Sequence, residues 1–180
     1  MMRDVFDLQV FEKTALTASF RIQVDLKVNS SSLELQYHVK GPTDRVLWPK
    51  PVKEGLWTEN LWNESCFELF LKETQSSRYW EWNFSPSGHF WSMEFNEYRL
   101  RKENSEQLRP LKEIGAQLGP KDFKLQVILP VPRLPRELGV SAILKLSDGF
   151  TCHWALSHPT PRPDFHDFRG FKQLIESPFE

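Results

Sequence analysis

The chain is short of most features that define specialised protein classes. It has two cysteines in 180 residues, Cys66 and Cys152, too few for a disulfide framework or a four-thiolate zinc site. Neither sign of charge is in excess. Lys and Arg number 23 against 24 Asp and Glu, a formal net charge of -1, which argues against the broad basic surface that nucleic acid or an anionic membrane selects. No apolar run approaches the roughly 20 residues that span a bilayer. The opening MMRDVFDLQVFEK lacks the apolar core of a secretory leader, so a cytoplasmic protein is expected. Helical periodicity is scarce. Its best stretch, Glu106 to Leu118, contains Pro110 and Gly115 and scores poorly on propensity. No internal repeat or low-complexity linker divides the chain, so residues 1–180 read as one domain.

Two things are plentiful: aromatic side chains and a period of two. Phe, Trp and Tyr make up 13% of the residues, with seven Trp. Phe20, Ile22, Val24, Leu26 and Val28 alternate with polar residues, and after Asn29-Ser30-Ser31-Ser32 the alternation resumes through Leu33, Leu35, Tyr37 and Val39. That is a hairpin of half-buried strands. Ser65 to Leu71 sets Phe67, Leu69 and Leu71 against Cys66, Glu68 and Phe70, and Tyr79 to Phe84 sets Trp80, Trp82 and Phe84 against Tyr79, Glu81 and Asn83. Ser85-Pro86-Ser87-Gly88 is turn chemistry, with His89 to Arg99 as the partner strand. Phe123 to Leu129 alternates until Pro130 and Pro132. Ser141 to Leu146 and Phe150 to Leu156 flank Asp148-Gly149 as another hairpin, and Phe171 to Ile175 reads as a closing strand. Many short strands between turn signals indicate an all-β fold, an antiparallel β-sandwich of jelly-roll or immunoglobulin-like type.

Two stretches escape the pattern: Gly41 to Glu64, with Pro42, Pro49, Pro51, Trp48, Trp57 and Trp62, and Ser157 to Gly170, with Pro159, Pro161, Pro163, His158, Arg162 and His166. Long ordered loops at one end of a sandwich are natural ligand sites. The aromatics divide accordingly. Trp80, Trp82, Trp91 and Trp154 fall on alternating strands and are expected in the core. Trp48, Trp57, Trp62 and Phe165 fall in or beside the loops. Sugars pack their C–H faces on aromatic rings and need fixed polar partners for their hydroxyls. Trp62, followed by Glu64 and Glu68, which are four apart and so share a face in an extended strand, then Glu81 and Asn83 on the next strand, has that composition.

Other chemistries use overlapping residues. Glycoside hydrolysis needs two carboxyls across one bond, which Glu64, Glu68 and Glu81 could provide. His153, His158, His166, Asp164 and Asp167 cluster in sequence without any familiar metal-site spacing. Their expected part is hydrogen bonding that ties the Pro-rich loop down, with His166 also a candidate for lining a site. Buried free thiols are the default for Cys66 and Cys152; a pairing across the sandwich stays open.

At Trp62-Asn63-Glu64-Ser65-Cys66-Phe67-Glu68-Leu69-Phe70-Leu71 the sequence resembles the family-9 carbohydrate-binding modules and the wider DOMON-like β-sandwiches, in which a Trp precedes by six residues a Glu within an E-[IL]-F-[IL] strand. YWEWNFSPSGHFW and HWALSHPTPRPDFH look especially like stand-alone bacterial DOMON-like proteins. The resemblance covers about Leu56 to Ile175. It implies a non-catalytic module, without a cofactor, that clamps a carbohydrate or another small polar ligand between two aromatics. Trp62 falls on the first and Phe165 on the second, where sugar-binding members carry Trp. Glu64 falls on a polar contact that is Gln in such modules, Glu68 on a matching Glu and Asn83 on a matching Asn. Glu81 stands where Arg is expected, and Arg162 where Asn is expected, as though a charge had been exchanged between them. With His166 added from the loop, the candidate binding set is Trp62, Glu64, Glu68, Glu81, Asn83, Arg162, Phe165 and His166. Haem-binding DOMON relatives use a Met and a His; Met93 is present, but no motif pairs it with a histidine.

Overall fold

The fold is seen in a computed structural model that describes residues 2–29, 31–73, 75–103, 105, 111–130 and 137–174. Its strands are β1 (Met2–Asp7), β2 (Gln9–Val10), β3 (Arg21–Val28), β4 (Ser32–Lys40), β5 (Cys66–Lys72), β6 (Tyr79–Phe84), β7 (Phe90–Glu97), β8 (Leu100–Arg101), β9 (Glu113–Leu118), β10 (Asp122–Pro130), β11 (Glu137–Lys145), β12 (Thr151–Ala155) and β13 (Lys172–Gln173). They form two antiparallel sheets. The back sheet has the order β1-β3-β4-β10-β9, and the front sheet the order β2-β12-β11-β5-β6-β7-β8, with β13 on the end of β11.

The expected hairpins form where the turn chemistry directs them. The Asn29 side chain accepts from the Ser31 and Ser32 amides, which bends the chain from β3 into β4. At the β11–β12 connection Gly149 takes φ +87°, a conformation open to glycine, and its amide reaches the Leu146 carbonyl at 2.9 Å. Between the sheets lie the apolar halves of the alternation: Ile22, Val24, Leu26, Leu35, Val39, Leu125 and Val127 from the back, Phe67, Leu69, Leu71, Trp82, Phe84, Val140, Leu144 and Trp154 from the front. Tyr37 crosses the core and donates its hydroxyl to the Glu68 carbonyl at 2.7 Å.

A second apolar cluster lies on the outward side of the front sheet. Leu61, Cys66, Phe70, Tyr79, Trp91, Met93, Phe95 and Ile143 are buried there, with Trp57, Trp62, Phe165, Phe168 and Phe171 packed on them. The 55–64 and 157–171 segments cover this side. Cys66 belongs to the outer cluster and Cys152 to the inner one, on opposite faces of one sheet, and both are buried free thiols.

Two aromatics change places relative to the sequence reading. Trp91 is outside the inter-sheet core. The β6–β7 turn holds five residues, closed by Ser85 N–H to His89 O at 2.9 Å, so Phe84 pairs with Phe90 and Asn83 with Trp91. One residue of register moves a whole strand from face to face, and here it sets Trp91 beside Asn83. Trp48, assigned to a ligand loop, instead stacks on Phe123 at 4.0 Å and 15°, with its indole N–H on the Thr43 carbonyl at 2.9 Å. It closes one end of the core. The 113–118 segment, the last part of the weak helical stretch, is an edge strand paired with β10; residues 106–110 lie outside the described residues, as do Pro132 and Ile175.

Candidate functional site

A cavity of about 420 Å³, open to solvent, lies on the outward side of the front sheet. Its floor is made by sheet positions, its walls by covering segments and hairpin turns. Trp62, Glu68, Glu81, Trp91, Phe95, Arg99, Arg101, Ile143, His153, Pro163, Phe165 and His166 line it.

The floor follows from strand parity. Glu68 on β5 pairs with Asn83 on β6, and Phe70 with Glu81, so Glu68 and Glu81 are diagonal neighbours on one face. Both are almost fully buried, at 4% and 5% exposure. Ser141 Oγ donates to Glu68 Oε2 at 2.8 Å, and Asn83 Nδ2 donates to Glu81 Oε1 at 2.7 Å. Burial, and then the charge of Glu81, pushes the Glu68 carboxyl well above its ordinary range; burial also pushes Glu81 up, against the hydrogen bond from Asn83.

His166 joins this floor to the wall. Its Nδ1 lies 2.6 Å from the Tyr79 hydroxyl and its Nε2 lies 3.5 Å from Glu81 Oε2. The Tyr79 oxygen also accepts the Arg99 amide at 3.1 Å; with the Tyr79 hydroxyl donating to Nδ1, the ring carries its proton on Nε2, toward Glu81. Burial, then the Arg99 charge, lowers the His166 pKa to about 3. The imidazole is therefore neutral, and its contact with Glu81 is polar rather than an ion pair.

The walls are aromatic and the rim cationic. Trp62 sits on a short 3-10 turn, Leu61–Asn63, entered through Asn60 at φ +63°, and meets Trp91 edge-on at 5.4 Å. Phe165 lies 6.0 Å from the His153 ring, which Glu12 holds by its Oε1 at 2.6 Å from Nδ1. Arg99 occupies the left-handed position (φ +57°) of the β7–β8 turn; its guanidinium binds Asp164 at 2.9 Å and Tyr98 at 3.2 Å. Arg101 lies over the Trp91 ring at 5.2 Å.

Of the residues singled out in the sequence, Trp62, Glu68, Glu81, Phe165 and His166 come together around this cavity, and Asn83 lies just beneath it. Glu64 does not. It is exposed, at the end of the Leu61–Asn63 turn and ahead of β5, and opens on a separate groove with Trp48 and Lys145. The two-residue parity that would link it to Glu68 holds only inside a strand. Arg162 also points elsewhere, into a shallow depression beside Pro161. The cations near Glu81 are Arg99 and Arg101, which sequence reading missed together with the place of Trp91 and Phe95; His153, from the histidine cluster, also lines the cavity. The histidines do tie the loop: His158 Nε2 meets the Gln9 carbonyl at 2.8 Å, and His166 meets Tyr79. Met93 is buried, with its sulfur accepting the Ser105 hydroxyl at 3.0 Å. Among the described residues no three His, Cys, Asp or Glu side chains are grouped to hold a metal, and no helix is long and apolar enough to cross a membrane.

No protein-family model and no curated protein sequence matches the chain. Solved structures do. A putative carbohydrate-binding protein from Bacteroides uniformis aligns with TM-score 0.64 at 17% identity, over 94% of this chain and 84% of its own. A family-9 carbohydrate-binding module from Caldicellulosiruptor kristjanssonii, in complex with cellotriose, aligns with TM-score 0.56 at 10% identity over 85% of this chain and 72% of its own. The module in complex with glucose gives TM-score 0.54 at 10% identity, over 82% and 70%. The chain thus has the two-sheet β-sandwich fold of the family-9 carbohydrate-binding modules.

Proposed function

We propose that this chain binds a carbohydrate, without transforming it, in the cavity on the outward side of the front sheet. The observation that carries the reading is the pairing of aromatic walls with a buried polar floor: Trp62 and Phe165 border the cavity that Glu68 and Glu81 floor. Ring faces offer apolar area to sugar C–H groups, and the fixed carboxyls and His166 accept or donate to hydroxyls. The solved structures of like fold hold cellotriose and glucose, which supports the class of ligand.

Binding is favoured over hydrolysis by the electrostatics. A glycosidase needs one carboxyl held protonated and another held ionised. Here burial raises both Glu68 and Glu81, so neither is held ionised at low pH as a nucleophile or base would be, although the Glu81 charge raises Glu68 further. The test is a calorimetric and tryptophan-fluorescence screen of mono- and disaccharides, repeated with Trp62→Ala. Saturable binding weakened about tenfold or more by the substitution supports the reading. Binding untouched by it moves the ligand to another surface, and release of aryl alcohol from aryl glycosides reinstates the hydrolase.

A further inference from the structure

Resting on the carbohydrate reading, we infer that the sugar is an amino sugar, its protonated amine seated over Glu68 and Glu81. Three other shielded carboxylates of this chain hold cations. Glu137 holds Lys72 at 2.8 Å, Glu94 holds Lys102 at 2.9 Å, and Asp164 holds Arg99 at 2.9 Å. Glu68 and Glu81 are as buried as any of them, yet among the described residues neither has a Lys or Arg within ion-pair distance; Arg99 and Arg101 act on them only from farther off. The one ring nitrogen near Glu81 belongs to the neutral His166. Buried carboxylates are stable when paired, and these two line an open cavity, so the missing cation can come from solution.

The cations already at the site are engaged elsewhere. Arg99 is held by Asp164 and Tyr98, and Arg101 lies over the Trp91 ring with Glu59 at 3.5 Å. Both stand on the β7–β8 hairpin at the rim. The charged and titratable side chains that face the cavity are Glu68 and Glu81 from β5 and β6, Arg99 and Arg101 from that hairpin, His153 from β12 and His166 from the loop. An ammonium group entering past the rim meets acceptors on the floor: Glu68 Oε1 has no protein donor among the described residues, whereas Oε2 takes the Ser141 hydroxyl. Aromatic rings beside the floor add favourable faces for a cation. Without ligand, the two carboxyls retain a proton between them. Binding of R–NH3+ displaces that proton to solvent, so one cation replaces another and charge balances.

The experiment is titration calorimetry of the full chain with glucosamine, N-acetylglucosamine and glucose at about pH 7, in two buffers of different ionisation enthalpy. Glucosamine is expected to bind about tenfold or more tightly than either neutral sugar, with proton release seen as a buffer-dependent heat. Glu68→Gln should bring glucosamine down to whatever affinity the same variant shows for the neutral sugars, and should abolish the proton release. Glucose or N-acetylglucosamine binding as tightly as glucosamine overturns the amino-sugar inference and leaves carbohydrate binding standing. Failure of all three sugars to bind, with the fold intact by circular dichroism, overturns both.

Discussion

The outward sides of the two sheets are built on opposite principles. On the back sheet the outward residues of β3 are Arg21, Gln23, Asp25 and Lys27, partly or fully exposed between buried Ile22, Val24 and Leu26. On the front sheet β5 is buried along its whole length, on both faces. A clean alternation marks a sheet with one wet face, whereas burial on both faces requires something laid over the sheet. Here the cover is the 55–64 and 157–171 segments. What distinguishes this buried layer from an ordinary core is that it keeps Glu68, Glu81, Asn83 and Ser141 inside it. Burying those groups costs stability that the inter-sheet core has to offset.

That contrast can be broken at several points. The largest effect is expected from the inner core. Phe67 packs on Tyr37 at 5.0 Å and on Phe123 at 5.6 Å, and Phe67→Ala should cost about 3–5 kcal/mol in urea unfolding. A much smaller loss would mean that the two sheets are held together by the loops. Next is a pH effect confined to the front face. Burial, and for Glu68 also the Glu81 charge, raises Glu68 to about 8 and Glu81 to about 7 from an ordinary 4.5. The folded state therefore holds more protons than the unfolded one, and stability falls as pH rises. His166, lowered to about 3 from 6.5, works in the opposite sense only below about 6.5. Between about pH 6.5 and pH 8 the carboxyls act alone, with a decline on the order of 2 kcal/mol. Thermal unfolding across that window should show the decline in the unmodified chain and a shallower one in Glu68→Gln; a flat profile in the unmodified chain refutes the buried charge.

A smaller effect separates cover from floor. A methyl group at Gly139 would meet the Phe171 ring at 2.6 Å. Gly139→Ala should cost about 1–2 kcal/mol, yet weaken ligand binding more than that, because Phe165 and His166 ride on the same segment. Unchanged affinity, read by calorimetry, would show the cover to be dispensable. The smallest is on the wet face, where Gln23→Ala should change the unfolding free energy measured in urea by no more than about 0.5 kcal/mol.

Alternation made most of this fold legible. The inward faces of β3, β4, β5, β6 and β10 carry the side chains that periodicity assigns to them. It failed where pairing rather than pattern makes a strand. β9 is exposed along most of its length and owes its conformation to β10. The site was half legible. Glu68 and Glu81 follow from parity inside strands, and Trp62 and Phe165 from their places in loops. Trp91 depended on whether the turn after Phe84 holds four residues or five, which composition does not decide. Arg99 depended on a left-handed turn after β7 that carries no glycine to announce it. Glu64 was placed by extending parity past the end of a strand, where the chain has already turned.

β5 is hydrogen-bonded along its length by β11 on one side and β6 on the other, and Tyr37 pins its backbone from behind. Its amides should be among the slowest in the molecule to exchange with solvent. For the proposed sugar ligand this divides the kinetics in two. On the proposed reading, a sugar arrives past side chains carried on turns and loops and rests on a floor set in the middle of a sheet. Substitutions at Arg99 or Phe165 then reach the association rate, whereas those at Glu68 reach the dissociation rate.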